Sequence, residues 1–293
     1  MLACPVCGAR LAWGDALECG GCREQYPVVD GVPVLLSPAS RNDPHKREQA
    51  EHHDAETDPE YEIRRPRGTP AVFGWMLAEK LRRGAMGIDA LLAGRSVVTV
   101  CGGSGMDAEF LARSGARVIA TDISLAAVTR ARERGRRYGL DITPIVADAE
   151  RLPLLDRSVD IAFVHDGLHH LREPLDGVDE MARVASTAVS VNEPARARLT
   201  DAAVRLGLAF EWEEAGNRIA RMDPDAIVSR LSSRGFRTVD SQRYGMYHGH
   251  VAGRIARGLS RERLVRPSTT ALCGVNRIAG GWGNKLAVKA VRI

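Results

Sequence analysis

The 293-residue sequence predicts an α/β fold, a mostly parallel sheet with helices on both faces, preceded by a small module held together by a metal ion. Three observations carry that prediction. Strand-like apolar runs alternate with helical spacing from Ser96 onward, glycines crowd behind the first strand, and four cysteines fall within the first 22 residues as C-x2-C-x11-C-x2-C.

The cysteines come first. Cys4 and Cys7 form one pair and Cys19 and Cys22 the other. Each C-x2-C turn lets two thiolates converge on one ion, while Gly8, Gly20 and Gly21 ease the turns whose N–H groups face the sulfurs. Two disulfides are the alternative, disfavoured by a reducing compartment and by the close spacing within each pair. Four thiolates leave no open coordination position, so a zinc ion here is structural, and a segment this short needs such a staple. The stretch "REQYPVVDGVPVLL" follows, with short β-type runs punctuated at Tyr26-Pro27 and Asp30-Gly31.

Composition sets the class. With 44% hydrophobic and 27% charged residues the chain reads as soluble and globular. The start has no charged segment leading into an apolar one, and no run of about 18 apolar residues occurs. The expectation is a cytoplasmic protein with no membrane partner. A net charge of +4 does not by itself call for nucleic acid. The arginine-rich stretches 130–137 and 254–266 read first as solvated helix faces, which leaves RNA open but not favoured.

The elements then follow in order. Residues 1–38 are the cysteine module. Residues 39–70 are polar and proline-bearing, a linker with one short helix around "HKREQAEHHDAE" that could cover a ligand of the main domain. Residues 71–293 form the main domain. Val72 to Leu92 carries helical spacing, with Gly84 and Gly87 marking a break. Seven strands are expected near Ser96–Cys101, Arg117–Thr121, Thr143–Val146, Val159–Val164, Ala188–Asn192, Phe236–Tyr244 and Lys285–Arg292. Helices fill Met106–Ser114, Ser124–Tyr138, Pro174–Ala185 and Pro224–Arg234, an insertion near 194–222 forms a lid, and Cys273 sits in a late loop without a role. Ligands of such a sheet bind at the carboxyl ends of its strands.

The first of those ends is "VCGGSGMDAEF". Gly105 is followed by Met106 instead of Lys, so the loop is no Walker-type phosphate loop, and Gly-Gly-x-Gly does not fit the dinucleotide G-x-G-x-x-G. It resembles motif I of class I S-adenosylmethionine (SAM)-dependent methyltransferases, in which an acidic residue and three alternate glycines follow the first strand. Gly103 and Gly105 match the last two glycines, with Gly102 between Cys101 and Gly103; Cys101 replaces the first glycine and Thr99 the acidic residue.

That resemblance implies a Rossmann-like seven-stranded methyltransferase sheet and assigns further contacts. Asp122, with Ile123 beside it, ends the second strand where the family takes the ribose hydroxyls. In "VADAERLP", Asp148 takes the adenine amine, Ala149 supplies a backbone N–H, and Leu152 an apolar wall. Taken singly, both aspartates also suit helix caps or turns. With threonine in place of the acidic residue, the amino acid end of the cofactor is held either by Thr99 or by His52, Arg64 or Arg65 of the linker. Residues 1–37 resemble the small zinc-ribbon proteins that bind and activate certain tRNA and translation-factor methyltransferases.

For the chemistry, "VHDGLHHL" offers His165, Asp166, His169 and His170 beside the methyl donor. His165 is the expected base and a cofactor neighbour, oriented by Asp166 or another carboxylate. His169 and His170 either orient the loop or touch substrate. Glu193 is placed over the same cleft, against acceptor or histidine. Asn217, Tyr244, Tyr247 and His248 line an acceptor pocket or pack in the core. The function expected is methyl transfer to oxygen or nitrogen of a small molecule. An rRNA or tRNA methyltransferase that grips RNA with its ribbon is the alternative, and a non-catalytic SAM-binding partner protein the third reading.

Overall fold

The computed structural model describes residues 1–12, 17–55, 67, 69–197, 200, 204–205, 219–246 and 254–293. Strands β1 (Leu17–Glu18) and β2 (Gln25–Tyr26) pair as a ribbon beside the cysteines. β3 (Val28–Val29) and β4 (Val32–Leu35) form a second hairpin around Asp30 and Gly31, whose φ values of 49° and 79° are the two left-handed positions that a two-residue type I′ turn demands.

All seven strands expected of the main domain are present: β5 (Ser96–Val100), β6 (Arg117–Asp122), β7 (Ile142–Ala147), β8 (Val159–His165), β9 (Ala185–Pro194), β10 (Phe236–Tyr244) and β11 (Lys285–Arg292). They pair in the order β10-β11-β9-β8-β5-β6-β7, parallel apart from β11, which is antiparallel to both neighbours. Runs such as Val97, Val98 and Val100, or Ile161 to Val164, are buried without alternation because helices cover both faces.

The sheet has nine strands, however, where the sequence predicts seven. β4 adds in parallel to β7, with Val34 opposite Val146, and β3 follows it. Without them the edge of β7 would expose a row of unpaired backbone groups; the ribbon's tail covers it. The N-terminal module also shares the core: Leu2, Leu17, Tyr26 and Leu35 lie in one buried cluster with Leu154, Val159 and Val184. Ala3 N–H donates to Pro153 O at 2.9 Å and Arg151 Nη2 to Val6 O at 2.8 Å.

In the segment that follows, the described residues hold two helices where one is expected. α1 (Pro38–Asn42) and α2 (Pro44–Asp54) are two proline-started helices, capped by Ser37 and Asp43. α3 (Ala71–Ala85) runs through Gly84, where a Cβ would come within 2.9 Å of the Phe163 ring, and stops before Gly87 at φ 93°. α4 (Met106–Arg113), α5 (Leu125–Tyr138), α6 (Pro174–Val184) and α7 (Pro224–Ser233) agree with expectation to within a residue or so. Late in the chain, α8 (Arg254–Leu259) and α9 (Glu262–Ala279) place Cys273 on a helix instead of in a loop.

Candidate functional site

The carboxyl ends of β5, β6, β7 and β8 surround a cavity of about 240 Å³, at the point where strand order departs in both directions from β5. Along one wall runs the glycine loop. Cys101 (φ 51°), Gly103 (51°) and Gly105 (78°) all adopt left-handed backbone, and Gly105 caps α4 so closely against α5 that a Cβ would stand 2.7 Å from Ala131 Cβ. Across the cavity floor Gly167 meets this loop, leaving no room for a Cβ beside Cys101. Cys101 lines the cavity, but burial pushes its thiol well above the usual range and removes it as a nucleophile.

Asp122 braces this loop. Its Oδ2 accepts from Gly103 N at 2.9 Å and its Oδ1 from Ser124 N at 3.0 Å, so each oxygen keeps a second lone pair. Gly102, Ile123 and Ala149 line the same stretch. Thr99 does not: it is fully buried beneath the loop, its hydroxyl facing Gly102 without a partner among the described residues. What reaches the cavity there is Asp107, in the first turn of α4. A Cβ on Gly102 would sit 2.8 Å from Thr99 Oγ1 and 3.3 Å from Asp107 Oδ1, which puts the hydroxyl and the carboxylate around one glycine. Asp107 Oδ1 accepts from Ala108 N at 2.7 Å, while Oδ2 has no partner among the described residues. Burial pushes its carboxyl up to about 7, helped by the charge of Asp122. The sequence signal was available in an acid two residues past the last glycine.

α2 closes the opposite side of the cavity, contributing His45, Lys46, Gln49 and His53. It is tied down at several points: Lys46 Nζ bonds Asp148 Oδ2 at 2.6 Å and Glu150 Oε2 at 2.5 Å, and Asp54 Oδ1 accepts from Ser124 Oγ at 2.5 Å and Ala126 N at 3.0 Å. Arg130 Nη2 donates to His53 O at 2.8 Å. Ser40 of α1 donates to the same Asp148 oxygen at 2.6 Å, and Glu150 N donates to its Oδ1 at 3.0 Å. The carboxylate assigned from sequence to adenine is thus already engaged by the helices above it. Leu152 belongs to the core and not to the cavity wall. His52 is exposed and lines nothing in the cavity; Arg64 and Arg65 lie outside the described residues.

At the far end the expected His165–Asp166 pair is not formed. His165 Nε2 stands 3.6 Å from Asp166 Oδ2, beyond hydrogen-bond reach, and has no other partner among the described residues. Burial, together with the charges of Lys80 and Lys285, pushes this imidazole down to about 3, so it is neutral and a feeble base. Asp166, at φ 52°, is gripped instead by Lys80 Nζ at 2.8 Å and by Lys285 Nζ. Neither lysine was singled out from sequence. The histidine that does have a carboxylate is His169: its Nδ1 lies 2.8 Å from Glu193 Oε2, while Glu193 Oε1 accepts from Gly167 N and Leu168 N at 2.8 and 2.7 Å. Both side chains are buried, and His169 lines the cavity. His170 stacks at 4.3 Å from His169 and is held by Gln49.

Tyr244 packs in the core, its hydroxyl donating to Asn192 Oδ1 at 2.6 Å, and does not line the cavity. Asn217, Tyr247, His248 and most of the 194–222 insertion lie outside the described residues.

A profile of the methyltransferase domain family matches residues 98–188, from β5 to β9. Over those residues the chain matches a methyltransferase domain, built on the parallel sheet described above. That domain is 33% identical over 91 residues to the demethylmenaquinone methyltransferase of Mycobacterium sp. strain JLS, covering 31% of this chain and 37% of the relative. It is 31% identical over 126 residues to that of Renibacterium salmoninarum, covering 43% and 49%. The chain therefore spans less than half the length of these relatives. In fold it is similar to the magnesium protoporphyrin IX methyltransferase of Synechocystis PCC 6803 solved with bound SAH, at a TM-score of 0.57 and 17% identity, covering 85% of this chain and all of that one.

The four cysteines of the N-terminal module converge: their sulfurs all lie within 4.8 Å of one another, with Cys4–Cys22 at 3.6 Å and Cys7–Cys19 at 3.4 Å. Zn–S bonds of about 2.3 Å in a tetrahedron require sulfurs about 3.8 Å apart, so this donor set fits zinc with a small expansion. Tyr26 Oη, 2.9 Å from Cys4 Sγ, supports it from the core side.

Proposed function

We propose that the protein is a SAM-dependent methyltransferase that acts on oxygen or nitrogen of a small-molecule acceptor. One observation carries the reading: a single cavity runs from the glycine loop and Asp122 to the His169–Glu193 pair, so donor site and base share one enclosure. SAM supplies an electrophilic methyl group on a sulfonium.

The chain's own residues do the rest. Asp122, through its free lone pairs, would take the ribose hydroxyls, with Ile123 and Ala149 against the base. Asp107 would hold the cationic methionine end, the role that Thr99 is too deeply buried to fill. Asp148, bonded to Lys46 and Ser40, would act on the adenine side chiefly by seating α2 over it. α2 excludes water, which strengthens each of these contacts. Glu193 fixes the His169 tautomer with its proton on Nδ1, leaving Nε2 as the acceptor of the substrate proton as the new bond forms. His165 contributes a neutral, apolar face beside the sulfonium. The four cysteines would hold a structural zinc that keeps the ribbon's tail in the sheet.

Incubation of the purified protein with labelled SAM and separate small-molecule and RNA fractions tests the proposal; demethylmenaquinone, named in the relatives, belongs in the acceptor panel. Label in a small molecule is expected. Label in RNA alone would move the reading to the ribbon, where Arg23 and neighbouring Arg41 each face an acidic partner, Glu18 and Glu24. Tight SAM binding with no labelled product in either fraction would leave the non-catalytic reading.

A further inference from the structure

Helix α9 has no buried residue along its length and yet is clearly two-sided. Its inner side, Val265 and Leu272, packs with Leu259 of α8 against the cluster of Val72, Phe73, Met76 and Tyr244. Its outer side carries Leu264, Val275 and Ile278, exposed by 41%, 60% and 89%, and the turn that follows adds Trp282 at 73%. At about 100° per residue, positions 264, 275 and 278 fall within about 60° of one another, and Arg263, Arg266 and Arg277 form a neighbouring stripe of the same width. From Ala256 to Trp282 the charged residues are Arg257, Arg261, Arg263, Arg266 and Arg277 against Glu262 alone, and all five arginines are exposed.

We infer that α9 and the Trp282 turn form a docking face for the surface of an anionic lipid bilayer. Charge decides the occupant. A second copy of the chain would bring arginine stripe against arginine stripe, whereas an anionic bilayer satisfies the apolar row and the cationic row together. Among the described residues no helix is long and apolar enough to cross a membrane, so the contact is with the interface. α9 rests on α3, whose Leu77 and Lys80 line the cavity, so a docked molecule holds the Lys80 end of the cavity near the lipid. The inference stands on this surface alone and is independent of the acceptor reading above.

Sedimentation of the full chain with phosphatidylcholine vesicles, with and without about 25% phosphatidylglycerol, tests it at about 50 and about 300 mM salt. Binding is expected only to the anionic vesicles and should weaken with salt. It should fall at least about tenfold in Ile278→Asp/Trp282→Ser and in Arg263→Gln/Arg266→Gln/Arg277→Gln. These side chains are exposed, so both variants should melt with the wild type, and methyl transfer to a water-soluble acceptor should not change. Binding equal on neutral vesicles, or unchanged in both variants, overturns the inference. So does a dimer that Ile278→Asp dissociates in the absence of any vesicle binding.

Discussion

Asp107 makes opposite demands on stability and on cofactor binding, and a single substitution separates them. Asp107→Asn keeps the shape and the bond from Ala108 N but removes the charge. In the unfolded chain the carboxyl ionises at about 3.9; in the folded protein burial pushes it up to about 7. Below about pH 4 both states are protonated and the residue costs nothing. Between those values the unfolded chain loses its proton first, so stability falls as pH rises, and above pH 7 the loss is constant. At 1.36 kcal/mol per pH unit it reaches roughly 1 to 2 kcal/mol by pH 5 and at most about 4 kcal/mol by pH 8. Thermal melts without cofactor should show Asp107→Asn stabilised by up to roughly 6 °C at pH 8 and by far less at pH 5. Calorimetric titration with SAM at pH 8 should show the reverse, a drop of at least about tenfold in affinity, because a buried cation is left without its counter-charge. A stability gain independent of pH would refute the ionisation argument. Unchanged affinity would refute the placement of the methionine end.

Other perturbations test the remaining parts. Asp122→Ala should weaken SAM binding more than about tenfold, because the ribose hydroxyls have no acceptor and the loop slackens. Gly105→Ala forces a left-handed backbone on alanine and drives its Cβ into Ala131, and denaturant unfolding should show a loss of about 3 kcal/mol. His169→Ala should lower kcat by about 10² to 10⁴ with SAM affinity intact. Glu193→Gln should give much of that loss, because an amide donating to Nδ1 moves the imidazole proton to Nε2; a wild-type kcat in both variants would remove His169 as the base. Cys19→Ser should abolish bound zinc by metal analysis and lower the melting temperature by roughly 10 °C or more in a single transition, since the ribbon shares the main core. A separate early transition would show the two units to be independent.

The sheet was legible because its signal is local. Strands buried on both faces read as continuous apolar runs at Ser96, Arg117 and Val159, and prolines and glycines mark where they stop. The ribbon's tail was read correctly as β-type, but nothing in "VPVLL" says which edge it joins; that is decided by the open side of β7 and by the core around Leu35. Residues 254–266 read as a solvated helix face, but the rest of α9 went unseen for another reason. Its apolar residues face both the core and the solvent, so the spacing lacks the single stripe that announces a packed helix.

Site residues divide along the same line. Gly102 and Gly103, and the histidines of "HDGLHH", each sit in one short stretch, and with Asp122 they line the cavity. The partners that set their chemistry lie far away: Lys46 is 102 residues from Asp148, Lys80 86 from Asp166, and Lys285 119 from the same carboxylate. A histidine followed directly by an aspartate therefore looked like a dyad. The fold gave that aspartate to two lysines and gave His169 a glutamate 24 residues away. Thr99 and Asp107 show the principle at its smallest scale. Pattern matching asks whether the acid is present at its usual position on the strand, and finds threonine. Geometry asks which carboxylate can reach the same space, and Gly102 brings one there from the first turn of α4, on the other side of the loop. An acidic contact can move eight positions along a chain and a few ångströms in space, which is why the substitution at Thr99 need not abolish cofactor binding.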